Sequence, residues 1–100
     1  MARAVARKDE EELVEKAREW LVAADPLVLA ERSLVTFDPA RIVAAEREVS
    51  TILGVTAYIR LYLEGGWVVE VRKRFARKDG LHYIPVEEEP QVKIHHACRG

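Results

Sequence analysis

The chain has 100 residues, of which 49% are hydrophobic and 33% charged, and its formal net charge is −1. That size permits a real core without disulfide or metal staples, and the composition excludes a disordered chain. The near-neutral balance excludes any global attraction to nucleic acid or to anionic membranes, so a basic surface would have to be local.

Met1 to Arg7 reads as a loose basic arm, with residues 1–8 flexible and no apolar run of the signal-peptide type. No stretch approaches a membrane span. Cys98 is the only cysteine, so no internal disulfide can form. Together these features point to a cytoplasmic chain folded as one domain over residues 1–100.

A helix is expected from about Glu10 to Ala24, capped by Asp9 with Glu12 three residues on. Leu13, Ala17, Trp20, Leu21 and Ala24 share one face at helical spacing. Asp25-Pro26 and Asp38-Pro39 both look like helix starts, each with a capping carboxylate before a proline whose missing N–H is harmless there. A short helix should follow the first, over Leu27 to Arg32. Ser33 to Phe37 reads as an extended connection or a short strand. A longer helix should follow the second, from Pro39 to Leu53, with Ile42, Ala45, Val49, Ile52 and Leu53 as its apolar stripe and Gly54 as its stop.

The period then changes from helical to alternating. Ile59, Leu61 and Leu63 point one way, and Tyr58, Arg60 and Tyr62 the other. Gly65-Gly66 is a turn, and Trp67 to Phe75 alternates again. A three-residue loop sets Leu61 against Val69 and Ile59 against Val71, with Arg60 facing Glu70 and Tyr58 facing Arg72 on the opposite side. Apolar pairs on one face, with an ion pair and a cation–π pair on the other, are what a half-buried hairpin needs. Trp20 and Trp67 are both expected in the core.

Asp79-Gly80 signals the next hairpin; as a two-residue turn it sets Phe75 opposite Ile84. Leu81 to Val86 is then a third strand and Val92 to Ala97 a fourth, paired through Val86 with Val92 and Ile84 with Ile94. In this register Lys73 falls on the apolar side, and Pro85 demands a bulge or an edge position. The resulting fold class is α+β: two or three N-terminal helices packed on a twisted antiparallel sheet of about four strands.

Two residue groups are candidate sites. The same register puts His82 opposite His96 with Cys98 beyond, two imidazoles and a thiol able to ligate a transition metal. Arg72, Arg74, Arg77 and Lys78, with Arg60, Tyr58 and Tyr62, form a basic and aromatic set able to contact phosphates and stack bases. No enzyme signature and no cofactor motif is present.

The stretch Glu48-Val49-Ser50-Thr51-Ile52-Leu53-Gly54-Val55-Thr56, then Ile59-Arg60 and Gly65-Gly66-Trp67-Val68, resembles the helix-turn-helix of winged-helix and related transcription regulators. The resemblance implies a recognition helix over Ala57 to Glu64 and a basic wing over Trp67 to Val86, within a DNA-binding unit spanning residues 48–86. Against it stands a non-catalytic binding or assembly module, a homo-oligomer joined through an exposed sheet edge. The two readings part at Ala57 to Glu64, a helix in the first and a strand in the second.

Overall fold

The computed structural model describes the backbone of residues 2–97 and the side chains of residues 10–97. Two helices precede a five-stranded antiparallel sheet. They are α1 (Ala2–Ala23) and α2 (Pro26–Arg32), followed by a 3-10 turn (Pro39–Arg41) and strands β1 (Ile42–Ser50), β2 (Gly54–Leu63), β3 (Trp67–Asp79), β4 (His82–Pro85) and β5 (Gln91–His96).

Helix α1 begins at Ala2, not at Glu10, so the expected cap position at Asp9 lies inside the helix. The Ala, Arg and Lys residues before Asp9 have low helical cost and extend the helix without a stop. Leu13, Ala17 and Leu21 are buried at four-residue intervals, and Trp20 meets Phe75 edge-on with ring centroids 6.1 Å apart. The Asp25 carboxylate accepts the Leu27 N–H at 3.0 Å and starts α2. Asp38 accepts the Ala40 N–H at 2.9 Å, but this second cap supports one 3-10 turn only.

The expected helix from Pro39 to Leu53 is therefore corrected to a strand. Ala45, Arg47 and Val49 of β1 pair with Leu61, Ile59 and Ala57 on the helix-covered face, while Glu46 and Glu48 pair with Arg60 and Tyr58 on the other. Those cross-strand partners outweigh a periodicity that suits a helix equally well. Arg47 turns inward and donates to the carbonyls of Leu21 and Ala24, satisfying the C-terminal end of α1 and tying it to β1. Gly54 opens β2 instead of ending a helix.

The β2–β3 register is the expected one: Leu61 faces Val69, Arg60 faces Glu70, Ile59 faces Val71 and Tyr58 faces Arg72. The register then shifts between Val55 and Thr56, where β3 carries one residue more than β2. This bulge lets Phe75 and Ala76 both join the apolar cluster under α1. Lys73 does lie on the apolar side, opposite Ala57. Its stem follows the core rim and its ammonium reaches the Glu88 carbonyl at 2.6 Å.

Beyond the bulge the expected pairings fail. The turn is Gly80-Leu81, flanked by Asp79 and His82, so Ile84 faces Arg77 and not Phe75. Strand β5 does not pair with β4. It returns to the other half of β3, with Val92 facing Val71, Ile94 facing Val69 and His96 facing Trp67. Strands β4 and β5 thus lie end to end along one side of the 13-residue β3. Pro85 sits on the open side of that row, where a missing donor is harmless.

Candidate functional site

The helices cover one face of the sheet and leave the other open. Alternation along β2 places Thr56, Tyr58, Arg60 and Tyr62 on the open face, each half-buried among its neighbours. Arg60 is its hub. Its guanidinium meets Glu46 and Glu70 at 3.1 Å and Glu48 at 2.5 Å, and it lies 4.8 Å from the Tyr58 ring centroid. The Tyr62 hydroxyl donates to Glu46 at 2.5 Å. One side chain of β2 thereby clasps β1 on one side and β3 on the other.

The electrostatics follow from these contacts. Hydrogen bonds from Tyr62 and then Arg60 hold the Glu46 carboxyl below its ordinary range. The bond to Glu46 pushes the Tyr62 phenol up, with desolvation adding to it. Arg60 is held charged, first by its bond to Glu48.

Arg60, Arg72, Arg74 and Arg77 all belong to this open face by register. Lys78 does not; it pairs with Tyr83, which packs on the core, and its ammonium lies 5.6 Å from that ring's centroid on the helix side. Arg74 approaches Glu88 at 4.0 Å, and Arg72 donates to Gln91 at 2.6 Å. Acids alternate with the cations, which cancels much of the field that phosphates would follow. Ala57 to Leu63 is strand, as are Glu48 to Ser50, so the recognition helix expected over Ala57 to Glu64 is corrected to a strand. The chain twists these residues into cross-strand pairs because β-branched and aromatic side chains find partners there.

The two histidines of the metal candidate are not brought together. His82 pairs with Asp79 and His96 with Trp67, positions 12 residues apart on β3, a span on the order of 40 Å at strand rise. Cys98 lies outside the described residues. His96 Nε2 instead donates to the Gly65 carbonyl, 2.7 Å away, and the ring packs edge-on against Trp67 with centroids 4.8 Å apart. Among the described residues no group of three or more His, Cys, Asp or Glu is placed to hold a metal.

Trp67 is 45% exposed, which corrects its expected burial. It opens β3 and forms, with Phe37, Leu63 and Ile94, the apolar wall of a shallow groove of about 430 Å³ rimmed by Asp38, Arg41 and Glu64. Trp67→Ala should accordingly lower stability by only about 1–2 kcal/mol, because about half of the side chain is already wet. The denaturant midpoint checks this; a loss as large as that of a fully buried tryptophan would contradict the observed packing.

Sequence reasoning missed the acidic partners Glu46 and Glu48, because residues 39–53 carry an equally good helical stripe. It also missed the open β1 edge. The available signal was Arg60 itself: a cation at the centre of a sheet face calls for carboxylates on both flanking strands. No protein family, characterised protein or solved structure matches the chain.

Proposed function

We propose that the protein is a non-catalytic assembly module that pairs with a second copy of itself along β1. The observation that carries this reading is the β1 edge, Ile42–Ser50, which is paired with β2 on one side only and runs in regular register from Ala44 to Ser50 after a shift between Ile42 and Ala44. Among the described residues no strand lies beside its opposite side and no proline falls within it, and Val43, at the register shift, is 64% exposed. Val22, on the turn of α1 that Arg47 ties to β1, is 87% exposed. Unpaired strand edges of this length are templates for pairing. The opposite edge is poorly suited: it is divided between β4 and β5, broken by Pro85 and Pro90, and carries Lys93.

The size of the surface supports the same reading. The accessible area is 6997 Å², whereas a compact monomer of this mass exposes about 5,800 Å². The radius of gyration is 15.4 Å, against about 13 Å for a compact chain of this length. A second copy laid antiparallel on β1 would extend the sheet and cover part of the excess, with the two-fold symmetry usual for homodimers.

Sedimentation equilibrium at micromolar concentration tests the proposal. The expected mass is that of a dimer. Val43→Lys combined with Ala44→Lys should yield a monomer with unchanged far-ultraviolet circular dichroism, because charge on an edge strand blocks pairing without touching the core. A monomer mass for the unmutated protein across that range would refute the reading.

A further inference from the structure

A separate feature lies at the end of the sheet where β1 turns into β2 and β3 into β4. Ser50 pairs with Thr56 and Gly54 with Arg77, so the 51–53 loop and the Gly80-Leu81 turn project from the same end. Ile52, Leu53 and Leu81 stand on these two tips and are 78%, 84% and 74% exposed. The first loop is short and closed by a contact from the Ile52 N–H to the Ser50 hydroxyl at 3.5 Å. Single exposed aliphatic residues are ordinary, but three on neighbouring tips make a protruding apolar cluster.

Charge is distributed to match. Within residues 50–54 and 77–83 the only acid is Asp79, against Arg77 and Lys78, with His82 alongside. The run Glu87 to Glu89 follows β4 and sits back from the tip, near Lys73 and Phe75. Arg77 and Lys78 precede the turn on β3 and are exposed; at about 3.3 Å per residue they lie roughly 7–10 Å behind Leu81. For Leu81 that offset fits the depth of a bilayer interface, an aliphatic tip at the acyl boundary with cations level with lipid phosphates, while Leu53, next to the Gly54 that faces Arg77, stands close to the level of the cations.

We infer that this hairpin-tip end docks peripherally on an anionic bilayer surface, with Ile52, Leu53 and Leu81 inserting and Arg77 and Lys78 meeting the headgroups. The three residues are wholly aliphatic and stand on exposed loop tips, which suits insertion into a soft surface. No helix among the described residues is long and apolar enough to cross a membrane, so the contact is superficial. Pairing along β1 is not required for it, since these residues lie beyond the end of that strand.

Cosedimentation with vesicles tests the inference. The unmutated protein should pellet with phosphatidylserine-rich vesicles, not with pure phosphatidylcholine, and should be released by high salt. The triple variant Ile52→Asn, Leu53→Asn, Leu81→Asn should bind roughly tenfold less or worse, because inserted apolar area supplies much of the affinity. Arg77→Gln with Lys78→Gln, which leaves both tips unchanged, should weaken binding severalfold and flatten its salt dependence. Circular dichroism of each variant establishes that it is folded. Absence of the unmutated protein from the phosphatidylserine pellet at low salt would overturn the inference. So would equal binding by the folded triple variant, or retention on heparin without retention on vesicles, which would mark the basic pair as a polyanion contact.

Discussion

In a Gly54→Ala variant the denaturation midpoint is expected to fall by the equivalent of about 3–5 kcal/mol, a large fraction of an ordinary domain's stability. Gly54 has φ +125°, a conformation that side chains rarely adopt. A Cβ there would sit 2.1 Å from the Ala76 carbonyl oxygen and 3.0 Å from its carbon, both backbone atoms of the facing strand. Ala76 belongs to the β3 bulge and its side chain is fully buried, so neither strand can yield without disturbing the core. Gly80 is the control. Its φ is +64° and nothing lies within 4 Å of its missing Cβ, so Gly80→Ala should cost only about 1–2 kcal/mol of left-handed strain. Equal effects at the two positions would show that β2 does not cross the bulge this closely.

Replacing Arg60 by methionine is expected to cost about 1–3 kcal/mol near neutral pH, and the cost should shrink as pH falls. The variant would leave Glu46, Glu48 and Glu70 crowded without their shared cation. The lower part of that range allows for solvent screening, since Glu46 and Glu48 are about half exposed and Glu70 much less. The sign of the pH dependence follows from Glu46, whose carboxyl is held low by Tyr62 and Arg60. A carboxylate with a depressed folded value adds stability above its unfolded value, about 4.3, and loses it as pH drops through the folded one. The unmutated protein should therefore weaken on acidification, while the variant is relieved of carboxylate repulsion, and the two stability curves converge below about pH 4. At the alkaline end Tyr62 acts in the opposite sense. Its raised phenol stabilises the fold below the ordinary value of about 10, and that contribution is lost as pH rises through the folded one. A gap between the curves that stayed constant from neutral pH to acid would mean that Arg60 acts by packing alone.

What the amino-acid order determined by itself is the local chemistry. The α1 stripe, the Asp25 cap and the β2–β3 hairpin are legible because their partners are either one helical turn apart or joined by a tight turn. Arg60 facing Glu70 and Tyr58 facing Arg72 could be read from a three-residue loop, since one short connection fixes the pairs that follow it until a bulge intervenes. The α+β class followed from the change of period near Gly54.

What only the tertiary structure decided lies where two local readings carry equal merit. Residues 42–50 offer a helical stripe and a strand alternation together. The strand prevails because Arg60 takes Glu46 and Glu48 as partners and Arg47 closes the end of α1. Both arrangements depend on residues far away in the chain. The bulge at Phe75, the two-residue slip at the Gly80-Leu81 turn and the return of β5 to β3 have the same origin. Each is a choice among backbone pairings of similar local energy, resolved by which one buries Val92 beside Val71 and frees Pro85 from a central position. His82 and His96 were separated by that same choice, because a 13-residue strand has room for two short partners end to end.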